Sequence, residues 1–297
     1  MTVSKIYDLF LLEQEYRNNS PKTIIWYREQ LREFFAWLGS DDVASLNLLA
    51  FKQYGIYLKS KVKRNGDKLS SCSVQDGMRA VKAFYNFAIE NDYLDDFSRK
   101  LRLPKVAFEE KIILDDDEIS TLLRVFDDSL LGLRNRCFVL LMLDSGLRRG
   151  EIPRANIGDV MFKNHSMIVR GKGNKQRLIP IGNSTYDSMR HYFLWCRLFA
   201  AKSEPFFVDR FGARCSDNVV KQVFQELKRS TGIDRLHPHL LRHTFATNYL
   251  ADGGDLETLR LILGHSDIHM TQNYLHLASN IILQRSQHNS HIDKLLD

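Results

Sequence analysis

The sequence predicts a mainly α protein of two domains: a helical bundle, then a mostly helical domain carrying a small antiparallel β-sheet. Three observations predict it. Apolar residues recur at helical spacing through roughly the first hundred positions. A charged stretch without that period, residues 102–111, breaks the rhythm. Between residues 159 and 181 the apolar pattern shortens to alternation before helices resume. At 297 residues the chain has room for two ordinary cores.

Taken in order, Ser20 and Pro21 read as an N-cap and a first helical residue. Ile24, Tyr27, Leu31, Phe34, Phe35 and Leu38 follow at helical spacing, and Gly39 ends the helix. Residues 46–61 repeat the rhythm, 60–71 form a polar, basic loop, and 74–91 carry Val81, Phe84, Tyr85, Phe87 and Ala88. From composition alone Lys59, Lys61, Lys63, Arg64, Lys68, Arg79 and Lys82 read as a solvated face more readily than as a DNA surface. The first domain is set at residues 1–103, a linker at 104–111 and the second domain at 112–297.

Asp115, Asp116, Asp117 and Glu118 supply a cap and first-turn carboxylates for a helix running through Leu123, rather than a metal site. Residues 137–143 read as a buried helix that stops at Asp144, Ser145 and Gly146, which places Arg148 just past a turn. Val160, Phe162, Met167, Val169, Leu178 and Ile181 are the apolar positions of the sheet, with Lys172 on the glycine-flanked turn Gly171-Lys172-Gly173. Pro238 can begin a helix on which His239 and Arg242 share a face. Gly264 ends the helix before His265, and Ser266 can cap the one that carries Tyr274.

The formal net charge of +6 and pI near 9.0 suit a partner rich in phosphate, as a weak signal. Cys72, Cys137, Cys196 and Cys215 never approach CxxC spacing, so neither a zinc site nor a disulfide framework is expected. No apolar leader follows Met1, and no apolar run approaches the roughly 18 residues of a membrane span. The expectation is a cytoplasmic protein with no membrane partner.

Arg148, Lys172, His239, Arg242, His265 and Tyr274 form one ordered set. A tyrosine attacks a phosphodiester only where cationic donors take up the charge growing on the phosphate oxygens and an acid protonates the departing oxygen. Guanidinium forks suit the first task because each donates two parallel hydrogen bonds and stays charged. Imidazole, titrating near neutral pH, suits proton transfer, and His239 is the expected acceptor of the tyrosine proton. From the residues alone, an ordinary buried or capping histidine is the bland reading of both His239 and His243.

The runs Ser145-Gly146-Leu147-Arg148-Arg149-Gly150-Glu151, Gly171-Lys172-Gly173-Asn174-Lys175, His239-Leu240-Leu241-Arg242-His243, Leu263-Gly264-His265-Ser266 and Thr271-Gln272-Asn273-Tyr274 resemble those of tyrosine recombinases of the phage-integrase and Xer class. The first half resembles that family's SAM-like core-binding domain more loosely, chiefly over residues 20–35 and 79–85. The resemblance implies a site-specific recombinase or integrase. Arg148, Arg242 and His265 would bind the scissile phosphate, Lys172 would protonate the 5′ leaving oxygen with Lys175 as its rival, the catalytic role on the Pro238 helix would fall to His239 with His243 keeping the bland one, and Tyr274 would form a 3′-phosphotyrosyl link. It further implies double-stranded DNA with an inverted-repeat core site, a homotetramer on two such sites linked by tails beyond Tyr274, and no cofactor or metal. Two alternatives stay open at this point: relaxation of DNA in the manner of a type IB topoisomerase, and a catalytically idle DNA-binding protein on the same scaffold.

Overall fold

The computed structural model describes residues 1–63, 65–106, 112–171 and 175–287, without the side chains of His276, Asn280 and residues 284–287. Arg64, most of the expected linker, Lys172 and the tail residues Ile292, Leu295 and Leu296 lie outside the described residues. The chain divides into two compact units, Met1–Glu110 and Lys111–Asp297.

In the first unit, α1 (Val3–Tyr16), α2 (Pro21–Leu38), α3 (Leu48–Ser60) and α4 (Ser71–Glu90) form the bundle. Ser20 caps α2 by accepting from the Thr23 amide, Pro21 occupies the first turn, and Gly39 ends the helix at φ +64, where a β-carbon is disfavoured. The long α4 packs against α1, α2 and α3. Its inward stripe of Val81, Phe84, Tyr85 and Ala88 is fully buried. Aromatic edges meet faces there, with Phe10 5.1 Å from Tyr27 and 5.8 Å from Phe84, the geometry the ring quadrupole favours.

The second unit continues with α5 (Asp116–Arg124), α6 (Leu130–Ser145), β1 (Val160–Met161), β2 (Ser166–Arg170), β3 (Gln176–Pro180), α7 (Asn183–Cys196), α8 (Asp217–Thr231), α9 (Pro238–Ala251), α10 (Leu256–Leu263) and α11 (Ile268–Gln287). A reciprocal capping box of Asp115 and Glu118 starts α5, which accounts for the acid run without a metal. Helix α6 is apolar on most of its circumference because α7 and α9 both pack on it. The sheet runs β1-β2-β3, antiparallel throughout.

Three expectations are corrected. Pairing of Met167 with Ile179 puts Ile179, fully buried, on the inner face and leaves Leu178 59% exposed. Phe162 belongs to a short 3-10 turn, Phe162–Asn164, rather than to a strand. Asp267, not Ser266, caps α11, its carboxylate accepting from the His269 amide at 2.9 Å. Among the described residues no helix is long and apolar enough to cross a membrane.

Candidate active site

Three turns converge on one spot. The first is the end of α6, where Gly146 has φ +62. A β-carbon there would stand 2.6 Å from a Phe245 ring carbon and 2.7 Å from a Leu263 methyl, so both conformation and space demand glycine. Immediately beyond it Arg148 begins a short 3-10 helix, Arg149–Arg154. The second is the start of α9, opened by Pro238, which carries His239, Arg242 and His243. The third is the α10–α11 junction, where Gly264 at φ +63 releases His265 and α11 then delivers Tyr274.

Arg242 ties these turns together. Only 3% exposed, it donates to the carbonyl of Gly146, to that of Leu263 at 2.7 Å and to His265 Nε2 at 3.0 Å. Because a guanidinium can only donate, Nε2 of His265 accepts. Its Nδ1 therefore carries the proton and donates to Thr271 Oγ1, 2.9 Å away. Burial first, and then the charges of Arg242 and Arg148, push the His265 pKa down to about 4, so the imidazole is neutral at working pH.

Arg148 donates through Nη1 to Glu151 at 3.1 Å and through Nη2 to the Gly264 carbonyl at 3.2 Å, while its side chain remains 34% exposed. Glu151 is buried, and Arg177 grips it with two bonds of 2.8 Å. Arg177 comes from the inner face of β3 and also donates to the Ile262 carbonyl at 2.6 Å, so it fastens the sheet to the end of α10. Arg148 and Arg177 thus share one carboxylate, whose charge Arg242 also feels. Burial, and next the neighbouring Arg148, pull the Arg242 pKa down to about 9, which leaves it a cation at neutral pH. Excess buried positive charge of this kind favours an arriving anion.

Tyr274 is 6% exposed, its ring 6.4 Å from that of His265 and inclined by 12°. Burial raises its pKa, and the charges of Arg242 and Arg148 oppose that rise. His243, expected to be an ordinary buried or capping histidine, is half-buried, and its Nδ1 lies 2.9 Å from Tyr274 Oη. His239 feels burial first and then the charges of Arg242, His237, Arg149 and Arg148, which all lower its pKa. Among the described residues its side chain forms no hydrogen bond. The structure thus gathers Arg148, Arg242, His265 and Tyr274, with His239 in the same field, while Lys172 lies outside the described residues. Glu151, Arg177 and Thr271, which were not singled out from the sequence, and His243, which was given no part in the chemistry, adjoin these residues. Among the described residues no cluster of His, Cys, Asp or Glu could hold a metal ion.

Glu151 gives the site an acid-labile fastening. Burial would raise its carboxyl pKa, but the hydrogen bonds and charge of Arg177, then those of Arg148, outweigh burial and hold it below its ordinary 4.5. A depressed carboxyl contributes stability that is present above the unfolded value and lost as pH falls through the folded one. Glu151→Gln should therefore be less stable than the parent by about 3 kcal/mol at neutral pH, since it leaves two guanidiniums without their counter-charge. That gap should close in thermal melts taken progressively below pH 4.5. A gap independent of pH would mean that shape rather than charge is what Glu151 supplies.

Comparison with known proteins agrees with this geometry. Residues 113–280 match the phage integrase family, and residues 7–92 match the phage integrase N-terminal SAM-like domain. The tyrosine recombinase XerC of Xylella fastidiosa (strain M23) is 30% identical over 275 residues, 92% of each chain. The crystal structure of XerA recombinase superposes with a TM-score of 0.55 at 25% identity, covering 97% of this chain and 99% of that one. A lambda integrase dimer bound to a COC′ core site shares the fold, with a TM-score of 0.73 at 16% identity over 92% of this chain and 95% of that one. Neither the topoisomerase reading nor the idle scaffold is favoured by these matches. The chain belongs to the phage integrase family and is a tyrosine site-specific recombinase, an enzyme that cleaves and rejoins DNA strands.

Proposed function

We propose that Tyr274 attacks a scissile phosphate of duplex DNA held by Arg148, Arg242 and His265, giving a 3′-phosphotyrosyl link and a free 5′ hydroxyl. The observation that carries this reading is the knot at Arg242, where one guanidinium reaches the Gly146 turn, the Leu263 carbonyl and His265 beside the Tyr274 ring. In the free protein those donors rest on carbonyls and on His265. An entering phosphate offers charged acceptors in their place, and charge-assisted bonds are roughly twice as strong as neutral ones. For His265 to donate to that phosphate its proton must sit on Nε2. Thr271 permits this change, because its hydroxyl can donate to Nδ1 as readily as it accepts from it. His239 adds a neutral imidazole at the same edge, on the face of α9 it shares with Arg242.

Lys172, between β2 and β3 in the sequence, is assigned the protonation of the 5′ leaving oxygen. A bridging 5′ sulfur leaves without a proton, so Lys172→Ala should regain cleavage on the sulfur substrate whereas Arg148→Ala should not. Failure of both variants there would remove the acid role, and rescue of Lys175→Ala instead would transfer it.

The target is proposed to be an inverted-repeat core site, with four protomers joining two such sites through the segment after Tyr274, in a cytoplasmic enzyme. Leu277, Ile281, Ile282 and Leu283, then Ile292, Leu295 and Leu296, make that segment strongly apolar. The exposed Ile282 and Leu283 on α11 support it. Deleting residues 285–297 should leave single-site DNA binding intact while paired-site complexes and recombination disappear in native gels. Persistence of paired sites would sink the exchange of tails.

A further inference from the structure

Proton transfer from Tyr274 needs a base within hydrogen-bond reach of its hydroxyl, and the surroundings narrow the choice. Arg242 has no lone pair to offer. Both nitrogens of His265 are engaged, Nε2 accepting from Arg242 and Nδ1 bonded to Thr271. Glu151 is held by Arg177 and Arg148. His239 makes no side-chain hydrogen bond among the described residues. Among the described residues what remains is His243, half-buried on α9 directly after Arg242, with Nδ1 2.9 Å from Oη and its ring 5.3 Å from that of Tyr274. Successive residues on a helix diverge by about 100°, so α9 directs Arg242 to the phosphate pocket and His243 to α11.

Resting on the recombinase reading above, we propose that His243 is a catalytic residue that takes the Tyr274 hydroxyl proton during cleavage and returns it during rejoining. In cleavage the Oη–H bond breaks and its proton passes to Nδ1 of the neutral imidazole, the Oη–P bond forms, and the P–O5′ bond breaks as O5′ takes a proton from the general acid. Rejoining reverses each step: the strand hydroxyl attacks phosphorus, and the imidazolium protonates the departing phenolate. His243 therefore serves the nucleophile, whereas the arginines serve the phosphate.

That division sets the test. On a nicked duplex that traps the covalent intermediate, full-length His243→Gln should form the adduct about 100-fold more slowly than wild type, the order of magnitude of a lost general base, while binding to the intact duplex stays unchanged. The second arm uses a strand ending in a 3′-(p-nitrophenyl phosphate), whose leaving group departs without a proton, joined to a 5′-hydroxyl strand in the Tyr274→Phe background. There His243→Gln should join as fast as its Tyr274→Phe parent, and Arg148→Ala should be slow. A joining defect equal to the cleavage defect would overturn the proposal, because His243 would then be supporting the pocket or the fold. Unimpaired trapping of His243→Gln would overturn it too and return the proton to His239. A covalent adduct formed by Tyr274→Phe alone would instead overturn the underlying assignment of the nucleophile.

Discussion

Tyr274→Phe is expected to abolish covalent attachment to DNA while leaving binding to an intact site almost unchanged. The substitution removes one oxygen from a side chain that is 6% exposed, and the ring keeps its place between His243 and His265. The hydroxyl's hydrogen bond to His243 is lost, at a cost of about 1 kcal/mol, small beside the packing of the ring. On nicked duplexes in denaturing gels the shifted protein band should therefore vanish rather than weaken. A Phe variant trapped as efficiently as wild type would show that another residue attacks.

Arg242→Ala should separate chemistry from stability. Two carbonyls, those of Gly146 and Leu263, lose a donor, and each buried orphan acceptor costs about 1–3 kcal/mol. Against that, the variant relieves a buried cation crowded by Arg148, the crowding already visible in its lowered pKa. The opposing effects should leave the loss of Tm smaller than the broken bonds alone would give. No such compensation exists in the transition state, where the phosphate charge meets one guanidinium fewer, so single-turnover cleavage should fall about 10³-fold or more. Arg242→Lys should recover little, because an ammonium cannot span the Leu263 carbonyl and His265 Nε2 together. Cleavage within tenfold of wild type in the Ala variant would remove Arg242 from the reaction.

What the sequence disclosed, and what it concealed, follows from the range of the interactions. Ser20 with Pro21, the Asp115–Glu118 box and the glycines at 39, 146 and 264 were legible because caps and left-handed residues are decided within one turn of chain. The convergence of Arg148, Arg242, His265 and Tyr274 was legible through their runs, although no local rule places Gly146 against Phe245 and Leu263. The phase of β3 was missed because five residues fit either alternation, and only pairing of Met167 with Ile179 selects one. That choice also turns Arg177 inward. An arginine two positions before a buried Ile179 was the available sign that an acid, Glu151, awaited it. His243 was passed over because the resemblance puts the role at His239; which of the two histidines on α9 faces α11 is settled by packing and not by periodicity. Ser266 and Asp267 are both competent caps, and the chain uses the second.

The assignment of Tyr274 as nucleophile is tested most directly by locating the adduct itself. Wild-type protein trapped on a nicked duplex would be digested with nuclease and trypsin and analysed by mass spectrometry. The peptide spanning residues 261–285 contains a single tyrosine, Tyr274, so it reports without ambiguity. The expected result is that this peptide carries the nucleotide mass through a 3′-phosphate, with fragmentation placing it on Tyr274. Nucleotide mass on any other peptide, with residues 261–285 unmodified, would contradict it.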